Sequence, residues 1–239
     1  MKNEMKNEMK NEMKNEMKNE IIRNSFISIG NSCYFKLHRD QYLNRNNINI
    51  GQTNMFDYIL NNLENVIYLL TINNINHLFN IKNVCFAGKS NHVMLKNCGK
   101  FKSIHDIKKK RQYSTHEEYY KSIELNFIEK YIRRYDRFIN ILNNSSNKLL
   151  FIFSSENIIV NNDDINKIKE IIKILIDRYN LLDFKIVWFN FNLIGTDNNE
   201  FFYKKILDHF YILKCKREKR SVPEFNKLLF EKLIEIYNI

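Results

Sequence analysis

The chain has 239 residues, 44% of them hydrophobic, with 38 Lys and Arg against 27 Asp and Glu. That apolar share excludes a disordered protein, and the longest apolar runs are far too short to span a bilayer. The net charge of +11 leaves nucleic acid or an acidic or phosphate-bearing substrate open as partners, beside the plainer reading of an AT-rich codon bias toward Lys and Asn.

Residues 1–20 are five copies of Met-Lys-Asn-Glu and read as a low-complexity tail, a frayed helix or disordered, outside the fold. Residues 21–239 read as a single α/β domain. Phe26–Ile29 is a short strand rich in β-branched and aromatic residues. Gly30 and Asn31 then supply a turn, because both tolerate a left-handed backbone, and Ser32 caps a helix beginning at Cys33 and running to about Tyr42. A cysteine in the first turn of a helix sits where free N–H groups and the helix dipole favour a thiolate. The same geometry suits a phosphate-binding turn with the cysteine as a bystander.

Asn44–Asn47 is a loop. The spacing of Phe56, Ile59, Leu60, Leu63, Ile67 and Leu70 predicts an amphipathic helix over 55–70, with Asp57 in its first turn. Val84–Phe86 and Val93–Leu95 read as a hairpin around Gly88–Asn91, and Phe101–Ile107 as a strand that carries His105 to its end. Lys108–Arg111 follows as a basic loop. Thr115 and Glu118 form a capping box for the clearest helix of the chain, with Tyr120, Ile123, Phe127, Tyr131, Tyr135, Phe138 and Leu142 on one face. Lys130, Arg133, Arg134 and Arg137 crowd its other side, either as a solvated face or as an anion-binding group.

Strand and helix then alternate: Leu149–Phe153, a helix capped by Asp163 or Asp164, Phe184–Phe191, Phe210–Cys215, and a closing helix with Pro223 in its first turn. Continuous apolar strands alternating with helices predict a mainly parallel sheet with helices on both faces and a small antiparallel hairpin insert around 84–105. Ligand sites in such sheets lie beyond the carboxyl ends of strands, where the Gly30–Cys33 turn falls. The four cysteines, Cys33, Cys85, Cys98 and Cys215, show no metal-ligand spacing, so neither a metal nor a cofactor is expected. Free thiols and an N-terminus without an apolar h-region point to a reducing, intracellular compartment.

The ordered set Ser28-Ile-Gly-Asn-Ser-Cys33, Asn54-Met-Phe-Asp57-Tyr, Phe101-Lys-Ser-Ile-His105-Asp106 and Tyr131-Ile-Arg-Arg-Tyr-Asp-Arg-Phe138, ahead of the strand at Leu149, resembles the putative papain-like cysteine peptidase family of bacteria and large DNA viruses. The likeness covers most of residues 25–215. It implies a thiol hydrolase or acyl-transferase with Cys33 as nucleophile and His105 as its base. A third group should orient the imidazole. Asp106 is adjacent to His105 and points away from it, so Asp57 is the better candidate. Turn amides around Gly30, Asn31 and Ser32 would form the oxyanion hole.

Two other readings compete. A glycine turn after the first strand, an arginine-bearing helix and alternating strands also describe a Rossmann-like nucleotide or nucleotide-sugar binder, glycosyltransferase-like, although Gly30 stands alone where a dinucleotide fingerprint has three glycines. A basic nucleic-acid-binding protein is the third, resting on charge.

Overall fold

The computed structural model describes residues 2–30, 34–49, 55–57, 59–87, 92–96, 98–103, 114–144, 148–155, 160–193, 201–216 and 222–239. With elements numbered along the chain, its spine is a five-stranded sheet. The order is β1 (Phe26–Ser28), β6 (Leu149–Ser155), β7 (Phe184–Leu193), β9 (Phe210–Lys216) and β8 (Phe201–Leu207). The first four strands are parallel, and β8 closes one edge antiparallel to β9.

Parallel strands covered on both sides need apolar side chains on both pleats. In β6, Leu150 and Ile152 point one way and Leu149, Phe151 and Phe153 the other, and all five are buried. The Leu150 side packs under the end of α1 (Lys2–Ser25), α2 (Tyr34–Arg45) and α8 (Val222–Asn238), through Ile22, Phe35, Leu43, Leu229, Phe230 and Leu233. The Phe151 side packs under α3 (Leu63–Thr71), α6 (Lys130–Asn144) and α7 (Asn162–Tyr179), with a one-turn α4 (Ile75–Leu78) beside them. The fold is therefore α/β, a mainly parallel sheet with helices on both faces.

The antiparallel part is larger than a hairpin. It is a four-stranded sheet in the order β2 (Ile59–Leu60), β5 (Cys98–Ser103), β4 (His92–Leu95), β3 (Val84–Ala87). Phe101 of β5 carries it into the core, against Phe79, Phe127 and Tyr131 at ring-centroid distances of 5.6, 6.4 and 5.6 Å.

Several elements depart from the pattern read in the sequence. The helix expected over 55–70 begins only at Leu63, because Asn62 is the cap: its side chain accepts from the Asn65 N–H at 3.1 Å. Met55–Asp57 is instead a buried turn, and Ile59 and Leu60 pair with Ser103 and Lys102. The helix capped by Thr115 and Glu118 does form, as α5 (His116–Ile123), but a π turn (Glu124–Glu129) separates it from α6. The buried positions Tyr119, Ile123, Phe127, Tyr131 and Tyr135 recur at steps of four. Such a repeat outruns about 3.6 residues per turn, and the wider turn absorbs the excess. Tyr119 is buried as a result, and Tyr120, expected inward, is 51% exposed. Asn161 rather than Asp163 or Asp164 caps α7, with Asp164 returning the bond to the Asn161 N–H. The strand β8 has no counterpart in the sequence reading.

Candidate functional site

Strand β1 ends against β6. Ile29 donates its N–H to Ile152 at 2.9 Å, and a Cβ placed on Gly30 would lie 2.3 Å from the Ser154 nitrogen and 2.8 Å from the Phe153 Cα. Only a glycine fits there. The turn freedom expected of Gly30 is not the reason, since its φ lies outside the left-handed region; close approach of two backbones is. Asn31, Ser32 and Cys33 lie outside the described residues, and α2 starts at Tyr34, one position past Cys33.

Helix α2 buries charged side chains beside its apolar ones, Phe35 and Leu43. It buries Lys36, His38 and Arg39, at 1%, 9% and 3% exposed, and leaves Leu37 45% exposed. Each buried polar group has a partner. Lys36 donates to Asp40 Oδ1 at 2.6 Å, and His38 donates from Nδ1 to Asn226 Oδ1 on α8. The Arg39 guanidinium donates from Nη1 to the Phe26 carbonyl at 3.2 Å and from Nη2 to Asp57 Oδ2 at 3.4 Å. Because Ile29 bonds inward to β6, alternation along the strand turns the Phe26 carbonyl to the open edge. Arg39 thus covers the free edge of β1 and ties it to Asp57. Burial pushes the Lys36 ammonium below its usual range, and Arg39 adds to this. Asp57 and Asp40 pull it back up.

Asp57 is fully buried, in the turn that leads to β2 and not in the first turn of a helix. A carboxylate in that setting is tolerable only beside a cation, which Arg39 provides. Phe56, its neighbour, meets Phe138 of α6 edge-on at 5.2 Å. Helix α6 also reaches β5, where Tyr131 packs on Phe101. Arg134 lies between Tyr131 and Phe138 on this inner face, 4% exposed, its guanidinium 4.9 Å from the Tyr131 ring centroid. The three arginines of this helix therefore separate. Arg133 is exposed and pairs with Glu129 at 3.5 Å. Arg137 is half-buried, its pKa pushed down by burial and then by Arg134 and Arg133.

His105 and Lys108–Lys110 lie outside the described residues; β5 ends at Ser103. Buried polar side chains missed in the sequence mark the carboxyl ends of the strands: Ser28 on β1, Ser154 and Ser155 on β6, Asn190 on β7. The signal was legible, since in each strand the apolar run breaks at these residues. Among the described residues, Asn61, just past β2 and fully buried, finds no hydrogen-bond partner for either amide atom, and the Ser28 hydroxyl likewise finds none. A cavity of about 540 Å3 lies elsewhere, between α1, the second half of α2 and the start of α8. Lys18, Tyr42, Arg45, Lys227 and Glu231 line it, and Lys36, Arg39 and Asp57 do not. Among the described residues, no helix is long and apolar enough to cross a membrane, and no His, Cys, Asp and Glu side chains cluster as a metal site.

The family model described as putative papain-like cysteine peptidase matches residues 24–193. No curated protein and no solved structure matches the chain.

Proposed function

The chain belongs to the putative papain-like cysteine peptidase family, and on that premise we propose that it is a thiol hydrolase or acyl-transferase with Cys33 as nucleophile, His105 as general base and Asp57 as the carboxylate that orients the imidazole. The observation that carries this reading is the pairing of β2 with β5. Ile59 stands opposite Ser103 and Leu60 opposite Lys102. The antiparallel pairing therefore puts the turn that carries Asp57, two positions before β2, at the end of the sheet where β5 leaves off, two positions short of His105 in the sequence. A fully buried carboxylate held by an arginine is suited to receive an imidazole N–H.

The chemistry balances without a metal or cofactor. Thiolate and imidazolium form when the Cys33 proton passes to His105. The sulfur adds to the acyl carbon, and N–H groups of the Gly30–Ser32 turn stabilise the oxyanion. His105 returns the proton to the departing amine or alcohol, leaving a thioester. Water, deprotonated by the neutral imidazole, releases the acid and restores the thiol; an amine in its place gives acyl transfer.

A nucleotide-binding reading finds less support. Dinucleotide sites open where the order of parallel strands reverses, and here the four parallel strands advance in one direction from the edge strand β1, with β8 alone out of sequence as an antiparallel edge.

The test is the pH dependence of iodoacetamide labelling of the native protein, followed by mass spectrometry at each cysteine. Cys33 is expected to label fast below pH 7, and His105→Ala to abolish this while Cys85 and Cys215 label as before. Labelling of Cys33 as an ordinary thiol of pKa ~8.5 would overturn the assignment.

A further inference from the structure

Four charged side chains come together a few positions after Cys33 in the sequence: Lys36, Arg39 and Asp40 on α2, and Asp57 on the facing turn. Lys36, Arg39 and Asp57 are 1%, 3% and 0% exposed. Lys36 bonds Asp40 at 2.6 Å, Arg39 Nε lies 3.8 Å from the same Asp40 oxygen, and Arg39 Nη2 lies 3.4 Å from Asp57. Two cations and two anions cancel. A fold gains little from such burial, because desolvating an ion pair offsets most of its attraction and an apolar pair of equal volume would serve as well. Helix α2 nevertheless buries these charges beside its core residues Phe35 and Leu43 and leaves Leu37 in solvent.

We propose that Arg39 is the positioning residue of the Cys33, His105 and Asp57 set: anchored on the Phe26 carbonyl, it holds the Asp57 carboxylate in one orientation. This inference rests on the proposed function. Arginine is required rather than lysine because the two acceptors, 3.2 and 3.4 Å from separate nitrogens, are bridged by a planar fork. With Nη2 on Oδ2, the carboxylate cannot rotate freely, and Oδ1 keeps a fixed direction. An Asp57 so held favours the imidazolium at His105, and through it the Cys33 thiolate. Arg39 touches no reacting atom; its effect passes through Asp57.

The experiment compares the pH profile of Cys33 alkylation in the full chain for wild type, Arg39→Met, Arg39→Lys, Asp57→Asn and the double variant Arg39→Met/Asp57→Asn, with thermal unfolding recorded on each. Arg39→Met and Asp57→Asn are expected to raise the alkylation midpoint alike, and labelling at pH 6 should slow about tenfold for every pH unit that the midpoint rises. The double variant should move it no further, and Arg39→Lys should fall between. A purely structural arginine would lower the unfolding temperature and leave the midpoint where it was. A folded Arg39→Met with the wild-type midpoint overturns the inference while leaving the thiol mechanism intact. If Arg39→Met does not fold, a wild-type midpoint in Arg39→Lys does the same. An ordinary thiol at Cys33 in the wild type defeats both together.

Discussion

Gly30 lies hard against Ser154 of the neighbouring strand: a Cβ on Gly30 would sit 2.3 Å from the Ser154 amide nitrogen. Neither backbone can yield, because Ile29 is already bonded to Ile152 and β6 is held by β7 along its length. Gly30→Ala should cost about 3 kcal/mol, the upper range for an overpacked site, read as a lower urea midpoint at unchanged slope. Gly30→Ala stability equal to the wild type's would mean that the two strands do not meet as described. The variant also lifts the start of α2, so Cys33 alkylation below pH 7 should slow in the protein that remains folded.

Side chains that pack along one element were legible in the sequence; those that meet across elements were not. Leu149–Phe153 is apolar at every position, which suits only a strand covered on both faces, and the Thr115 and Glu118 capping box carries its own geometry. The edge strand β8 escaped notice because Lys204 and Lys205 are exposed and it has a neighbour on one side alone. The burial of Arg39 has no signal in the sequence, since nothing within α2 reveals a partner 18 positions away at Asp57. Asp57 was singled out for its place in a motif, whereas the arginine that makes its burial tolerable depends on how α2 crosses the edge of β1.

Helix α1 offers a contrast between length and anchoring. Its repeat has a period of four, so every i, i+4 neighbour among the charged residues carries the same sign, an arrangement that weakens a helix. Met13 and Met17 are 67% and 62% exposed, while Ile22 is fully buried among Phe26, Phe35 and Phe230. Ile22→Ala should therefore destabilise the protein by about 3 kcal/mol, and Met13→Ala and Met17→Ala by no more than about 0.5 kcal/mol. Chemical denaturation of the three variants checks this. Equal losses at all three would show that the repeat helix packs on the fold over its whole length.

The pairing of Arg39 with Asp57 makes a prediction about stability that is independent of catalysis. Removing either partner leaves the buried cluster with one unbalanced charge, so Arg39→Met and Asp57→Asn should each cost about 3 kcal/mol. Together they should cost clearly less than the sum, because the second substitution removes the charge that the first left stranded. Additive losses in a double-mutant cycle would mean that the two side chains do not interact.

The end of α3 is closed by residues from two other helices, and this gives a pH dependence with a definite sign. Tyr179 donates its hydroxyl to Leu70 at 2.8 Å, Tyr135 donates to Ile72 at 3.3 Å, and Arg178 donates to Thr71 at 2.6 Å. These carbonyls have no partner within the helix, so the tertiary donors take the role of a C-cap. Burial raises both tyrosines above the ordinary value of 10.0, Tyr135 to about 12. A group whose folded pKa is raised keeps its stabilising effect in full below the unfolded pKa and loses it as pH climbs through the folded one. Stability should accordingly hold to about pH 10 and then fall by on the order of 2 kcal/mol toward pH 12 through Tyr135 alone. Tyr135→Phe should cost about 1 kcal/mol at pH 7 for the lost hydrogen bond and flatten the alkaline decline. Urea denaturation at intervals between pH 8 and pH 12 measures both, and an equally steep decline in Tyr135→Phe would assign the loss to another group.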